Sequence, residues 1–192
     1  MITAIDERTA LVLIDLQQGV VKMPVAHPIK GVLDRAAGLA AAFRQKEWPV
    51  VVVNVNPTGA AWIQCRADEP SMPKDRAAQV LPEGFADIVP EIGAQPGDIF
   101  ITKRNWNAFF ATALHEELQK RKITQIVLAG VATSIGVEGT ARAASELGYN
   151  IAFAADAMTD RKAEAHENSL RHIFPRIGEV GLTEDILRQI TS

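Results

Sequence analysis

Cysteine is almost absent from this sequence. Its 192 residues include only Cys65, so no internal disulfide can form, and no cysteine pairs or cysteine–histidine clusters are available to hold zinc. Cys65 lies in a polar stretch, WIQCRADEP, that follows no predicted strand and begins no predicted helix, which favours an incidental loop thiol over a catalytic one. A chain without disulfides suits a reducing compartment, and we expect a cytoplasmic protein.

Long apolar runs and clusters of basic residues are also absent. No segment approaches the roughly 18 apolar residues that a membrane-spanning helix needs, and acidic residues stand before the first apolar run, where a signal peptide would have a basic leader. A formal net charge of -3 without any basic cluster gives no electrostatic footprint for nucleic acid. We therefore expect a small molecule as the partner, and neither a membrane nor a nucleic acid.

The sequence does contain a regular alternation of two patterns. Hydrophobic residues make up 47% and charged residues 22%, a globular balance, and the length fits one domain over residues 1–192. Short apolar runs alternate with segments of helical periodicity, which predicts an α/β fold on a parallel sheet with helices on both faces. The predicted strands are 10–15, 50–54, 99–102, 125–130 and 150–155.

Helical spacing fills most of the sequence between and after these strands. In one such segment Phe110 shares a helical face with Leu114 and Leu118, so we expect it in the core. Segment 56–97 differs, because it is rich in proline and has little periodicity; long excursions of this kind are often lids or contact surfaces. The predicted helices are 31–46, 107–121, 133–147, 163–173 and a short one that begins at Thr183.

Two charged residues and a glycine stand at the ends of predicted strands. Asp15 closes the first strand, Lys103 directly follows the third, and Gly136 lies in the first helical turn after the fourth. The carboxyl ends of parallel strands meet at one edge of a sheet, where α/β proteins bind their ligands, so we expect these residues to lie together. The first turn of a helix adds unpaired N–H groups that suit an oxyanion or a carboxylate.

Four segments strongly resemble the isochorismatase-like hydrolase superfamily: ALVLIDLQ, KRNWNAFFATAL, GVATSIGVEGTARAASELGY and DAMTD. The resemblance covers nearly the whole chain, and the superfamily includes nicotinamidases and N-carbamoyl-amide hydrolases. It implies a three-layer αβα sandwich with a six-stranded, mostly parallel, Rossmann-like sheet, and a homo-oligomer. It also implies that Asp15 is the family's acid and Lys103 its lysine.

Gly136 is where this sequence departs from the cysteine-hydrolase branch of the superfamily. The nucleophilic cysteine of that branch falls on Gly136, and the resemblance implies a cis peptide between Val131 and Ala132, with the Ala132 and Gly136 amides as an oxyanion hole. Without a thiol no acyl-enzyme forms there, and loss of a nucleophile costs on the order of 10⁶ in rate in a well-studied triad. We therefore expect a hydrolase that acts by non-covalent acid–base chemistry.

Two forms of that chemistry remain open. The isochorismatases proper hydrolyse a vinyl ether without the cysteine, and the resemblance implies that their aspartate is a general acid. Asp15 has this role only if burial raises its pKa more than Lys103 lowers it. In the other form, Asp15 is the base that activates water while the two amides hold the oxyanion.

Some residues around the site have more than one predicted role. Nicotinamidases hold a metal through an Asp-x-His pair after the second strand, but residues 54–56 here read Asn-Val-Asn, so we expect no metal and no cofactor. Gln17 is expected to bind either substrate or backbone, and Gly136 to serve close packing as well as the site. His166 and His172 are six residues apart and show no ligand spacing. The candidate pocket residues are Gln17, Trp62, Trp106, Val131 and Thr133.

Two functions other than hydrolysis fit the same sequence. One is a catalytically silent protein that binds a small molecule in the retained pocket. The other is a structural role, in which the proline-rich excursion and the apolar helices build an oligomer. Turnover of any metabolite would distinguish hydrolysis from the catalytically silent function. A blocked pocket at the strand ends would favour the structural role.

Overall fold

A computed structural model of the protein describes residues 2–59 and 80–191. Six strands and six α-helices alternate through this part of the chain. None of its helices is both long enough and apolar enough to span a bilayer. The elements are β1 Thr9–Ile14, α1 Gln18–Val21, α2 Ile29–Gln45, β2 Val50–Val55, β3 Ile99–Lys103, α3 Leu114–Lys120, β4 Gln125–Val131, α4 Glu138–Glu146, β5 Asn150–Thr159, α5 Ala163–Asn168, β6 Glu179–Gly181 and α6 Thr183–Thr191.

The six strands form one parallel sheet in the order β3-β2-β1-β4-β5-β6. β1 lies at the centre, between β2 and β4, and all six of its residues are buried. The strand order reverses at β1, because the chain builds outward first to one side and then to the other. Such a switch point opens a crevice at the carboxyl ends of the central strands.

Helices cover both faces of the sheet, as the continuous apolar strands predict. On one face α2 and α6 pack on alternate strand residues such as Leu11 and Leu13, and on the other α3 and α4 pack on Val12 and Ile14. Every strand side chain near the centre therefore contacts a helix. This three-layer arrangement confirms the predicted α/β sandwich.

The strand and helix predictions are largely confirmed, with two corrections. The strand β6 was not predicted, because its three residues are too short for a periodic signal. The predicted helix 107–121 is wrong in its first half, since α3 begins only at Leu114. Asn107 Oδ1 accepts from the Phe109 N–H at 2.7 Å, and Ala111 has a left-handed backbone with φ of 53°. Both features interrupt a helix. Phe110 consequently is half exposed and not in the core.

Candidate active site

Asp15 and Lys103 form a buried ion pair at the carboxyl edge of the sheet. Asp15 follows the last residue of β1, and its N–H donates to the Val53 carbonyl on β2 at 2.9 Å. Lys103 ends β3, and its Nζ donates to Asp15 Oδ2 at 2.7 Å and to the Asn105 carbonyl at 3.1 Å. The Asp15 side chain is only 8% exposed, and the Lys103 side chain only 2%. The structure thus brings together the acid and the lysine that the strand ends indicate.

Gly136 faces this ion pair. A Cβ atom built on Gly136 would lie 3.2 Å from Asp15 Oδ2 and 3.5 Å from Lys103 Nζ, so a side chain at this position would point at both. The same Cβ would lie 2.9 Å from Ile14 Cγ2, which is closer than ordinary van der Waals contact. The glycine therefore also lets its turn pack tightly on β1, which is one of its two expected roles, and its role in the site stays a prediction.

Burial dominates the ionisation of Asp15. Burial of the carboxyl group raises the pKa of Asp15 from 3.8 to about 6, and the charge and hydrogen bond of Lys103 oppose this rise without cancelling it. Asp15 Oδ1 is buried and has no hydrogen-bond partner within the described part of the chain. A carboxyl group with a pKa near 6 can both give and take a proton at neutral pH, as acid–base catalysis requires.

The turn that carries Gly136 begins with a cis peptide between Val131 and Ala132. After it, residues Thr133–Val137 form a π-helical turn that continues directly into α4. The N–H groups of Ile135 and Val137 both donate to the Ala132 carbonyl, at 3.1 and 3.2 Å. The Gly136 amide lies between them, in the first turn of a helix, where amides have no carbonyl one turn earlier to bind.

Two side chains that the sequence did not assign to the site, those of Asp160 and His166, contact this turn through polar atoms. Asp160 Oδ2 accepts from the N–H and the hydroxyl of Ser134, at 2.7 and 2.8 Å. The Thr133 hydroxyl and His166 Nδ1 lie 2.8 Å apart, and both residues are buried. Asp160 is the last residue of the DAMTD segment, so the sequence carried a signal for it. The sequence carried no such signal for His166, because its partner is the Thr133 hydroxyl and not another residue of a type that binds metals.

Gln17 binds backbone, the second of its two expected roles. It is fully buried, and its Oε1 accepts from the Val55 N–H at 2.7 Å. Its Nε2 donates to the carbonyls of Val55 and Phe85, both at 3.0 Å. With its amide committed in this way, Gln17 fixes the end of β2 and the segment around Phe85, and its place in the substrate pocket stays a prediction.

The other predicted pocket residues divide into buried and exposed groups. Val131 is buried in the core on the α2 face, and Thr133 is fully buried against His166. Trp106 is 51% exposed and packs beside the start of α4, where its Cβ lies 3.4 Å from a Cβ built on Gly139. Its indole is free to form a pocket wall. Trp62 and Cys65 lie outside the described residues.

Asn54 occupies the place where nicotinamidases have a metal ligand. Its Nδ2 donates to the Ala86 carbonyl at 2.8 Å, so this side chain fastens β2 to the following segment. Across residues 2–59 and 80–191, no group of three or more His, Cys, Asp or Glu side chains is arranged to hold a metal ion.

Comparison with known proteins agrees with this architecture. The isochorismatase domain model matches residues 9–185. The chain is 44% identical to the isochorismatase family protein YwoC of Bacillus subtilis, over 96% of this chain and 95% of that protein. It is 27% identical to the maleamate amidohydrolase of Pseudomonas putida, over 95% of this chain and 87% of that enzyme.

A solved structure gives the same result for the fold. The structure of an isochorismatase family protein from Burkholderia thailandensis superposes with a TM-score of 0.90 and 36% sequence identity, and 98% of each chain is covered. The domain match spans the strands that carry Asp15 and Lys103 and the turn that carries Gly136. The chain therefore belongs to the isochorismatase family of hydrolases.

Proposed function

We propose that this protein hydrolyses a small molecule by non-covalent acid–base chemistry at Asp15. The observation that carries the proposal is the position of Gly136, whose Cβ direction points at the Asp15–Lys103 pair at 3.2 and 3.5 Å. Gly136 places no nucleophilic side chain in that direction. The proton-transfer group and the backbone amides remain beside it.

Gly136 has no side chain, so no acyl-enzyme can form at this position. An acyl-enzyme needs a thiol or hydroxyl on the attacking residue, and glycine supplies neither. Relatives such as the maleamate amidohydrolase of Pseudomonas putida hydrolyse an amide. If this chain cleaves an amide, then Asp15 must activate a water molecule for the attack, while the Ala132 and Gly136 amides hold the oxyanion.

The raised pKa of Asp15 favours the general-acid form of the reaction, as in vinyl-ether hydrolysis. Protonated Asp15 gives its proton to the terminal carbon of the enol ether, whose π electrons form the new C–H bond and leave an oxocarbenium ion. Water adds to that cation and loses a proton to the Asp15 carboxylate, and the hemiketal collapses to a ketone and an alcohol. Asp15 regains its proton over the cycle, and Lys103 stabilises the carboxylate in between.

The surroundings favour a small, planar and carboxylated substrate. Trp106 offers a half-exposed indole next to the site, and a flat apolar face of this kind stacks well on a planar ligand. The amides at the start of the helical turn favour a negatively charged group. Molecules with both features, either enol ethers or amides, are the first to test.

The decisive experiment compares Asp15→Asn with wild type on such a panel. We expect turnover to fall about 10²–10⁴-fold, because Asn cannot transfer the proton. Asp34→Asn is the control, since Asp34 only pairs with Lys30 on the exposed surface of α2. Unchanged turnover in Asp15→Asn would refute the proposal. Binding without any product, in calorimetry and product assays on the same panel, would instead favour the catalytically silent alternative.

We also propose a cytoplasmic homo-oligomer. Phe100 is half exposed, and a large apolar side chain of this kind is often covered by another subunit. The single cysteine fits a reducing compartment. Light scattering after size-exclusion chromatography tests the assembly: a monomer at micromolar concentration would contradict it and would also remove the structural alternative.

A further inference from the structure

The Thr133–His166 contact connects α5 to the turn that carries Gly136. Thr133 is the first residue of the π-helical turn, and its hydroxyl lies 2.8 Å from His166 Nδ1. Both side chains are buried. Thr133 lies three positions before Gly136 in a tightly wound turn. A displacement of Thr133 therefore moves the Gly136 amide relative to Asp15.

His166 is itself held in place. The ring of His27 lies 4.7 Å from it, centroid to centroid, at an interplanar angle of 56°. His27 Nδ1 lies 3.0 Å from the Thr159 hydroxyl, and Thr159 directly precedes Asp160, which binds Ser134. The support for the turn thus reaches Thr133 and Ser134, two consecutive residues.

His166 is neutral near pH 7. Burial is the main cause that lowers its pKa, and the neighbouring His27 lowers it further, against smaller opposite effects of Glu167 and Asp160. A neutral imidazole has one donor and one acceptor nitrogen, so Nδ1 can bind a hydroxyl in either tautomer. The contact needs no charge, and a side chain that offers a polar atom at the same place can replace it.

We propose that His166 is a positioning residue, which holds the Ala132–Gly136 turn against Asp15 and Lys103 through its hydrogen bond to Thr133. This inference rests on the proposed function, because it assigns the turn a part in catalysis. Misplacement of a catalytic group by about 1 Å can cost about 10²-fold in rate. A residue that touches no substrate can therefore govern the activity of this site.

A reporter thiol tests the proposal without a known substrate. In Gly136→Cys, the new thiol faces both Asp15, which can accept its proton, and Lys103, whose charge stabilises the thiolate, so we expect its pKa to fall below the ordinary value of about 8.5. The rate of alkylation by iodoacetamide, measured against pH, gives this pKa. In the Gly136→Cys background we would add His166→Leu, which loses the hydrogen bond, and His166→Asn, whose amide can reach the position of Nδ1.

We expect His166→Leu to return the thiol pKa towards about 8.5 and His166→Asn to keep it low. A cavity of about 520 Å³ borders His166, so either side chain has room. Thr133→Val, which removes the same bond from its other end, should match His166→Leu, and the double variant should add nothing further. His115→Leu is the matched control, because it breaks a 3.0 Å contact from an imidazole Nδ1 to the Tyr149 hydroxyl away from the turn.

Two results would overturn the positioning role. One is a thiol pKa that stays low in folded His166→Leu and Thr133→Val, with folding checked by circular dichroism. The other is a rise in His166→Asn as large as in His166→Leu, since the hydrogen bond then would not be the connection. An ordinary thiol pKa in Gly136→Cys with His166 intact would instead contradict the proposed function, because it would show that position 136 does not face the ion pair.

Discussion

Lys103 Nζ lies 2.7 Å from Asp15 Oδ2, yet the pKa of Asp15 is raised to about 6. An ammonium group at this distance normally lowers the pKa of a carboxyl group. Here the carboxyl is so deeply buried that the loss of hydration outweighs the attraction. The pair thus holds an acid that is partly protonated at neutral pH, next to a residue that has no side chain.

The pH dependence of turnover distinguishes the two forms of the reaction. With an Asp15 pKa of about 6, a general acid makes kcat/KM fall tenfold per pH unit above that value. A general base makes kcat/KM fall tenfold per unit below the same value. Steady-state rates from about pH 4 to about pH 9 on one substrate decide between them. A profile without an inflection between about pH 5 and about pH 7 would contradict both.

Burial of Asp15 also makes stability depend on pH. Its folded pKa of about 6 exceeds the unfolded value of 3.8, so protonated Asp15 favours the folded state. This contribution is fully present below pH 3.8 and is lost as the pH rises through about 6. Urea unfolding measures it as the difference in free energy of unfolding between wild type and Asp15→Asn. We expect the free energy of unfolding of wild type to fall relative to that of Asp15→Asn between about pH 4 and about pH 7. A difference that does not change with pH would be inconsistent with a raised pKa.

Gly136→Ala tests the close packing at the site. The added methyl would lie 2.9 Å from Ile14 Cγ2 and 3.2 Å from Asp15 Oδ2, so we expect a loss of stability of about 1–3 kcal/mol and a large loss of turnover. Gly38→Ala in α2 is the matched control, because a Cβ there meets nothing within 4 Å. That change should raise stability by about 0.5–1 kcal/mol. Thermal or urea unfolding measures both, and equal effects would argue against the described packing.

Gln17→Leu tests the backbone role of Gln17. The change leaves the Val55 N–H without the acceptor Gln17 Oε1 and removes the bonds from Nε2 to the carbonyls of Val55 and Phe85, at about 1–3 kcal/mol for a buried unsatisfied group. The Phe85 carbonyl keeps the Gly19 N–H as a donor. We therefore expect a loss of at least about 2 kcal/mol in the free energy of unfolding. Gln119→Leu, which removes one bond at an exposed position, should cost much less. A folded, fully stable Gln17→Leu that fails only to bind substrate would instead place Gln17 in the pocket.

The sequence predicted the positions of Asp15 and Lys103 better than their surroundings. Apolar runs locate strand ends, and parallel strands bring their ends together, so Asp15 and Lys103 could be paired in advance. The helix over 107–121 could not be corrected in advance, because the break depends on a side-chain hydrogen bond of Asn107 and the left-handed backbone of Ala111. A periodic apolar pattern records neither feature.

Three features of the site could be determined only from the three-dimensional structure. The balance between burial and the charge of Lys103 depends on distances and solvent exposure, so the direction of the Asp15 pKa shift was open. The role of Gln17 depended on which backbone groups its amide meets. The contact between Thr133 and His166 joins residues 33 positions apart and matches no motif of ligands or charges.

Direct titration of the Asp15 carboxyl group measures the raised pKa on which the proposed acid chemistry depends. In ¹³C NMR of protein labelled at the aspartate carboxyls, Asp15→Asn identifies the resonance by its disappearance. We predict a midpoint at about pH 6, with a shift to higher pH in Lys103→Met, where the opposing charge is gone. A midpoint at or below the ordinary value of 3.8 would show that Asp15 is always ionised at neutral pH, and would contradict the proposed acid chemistry.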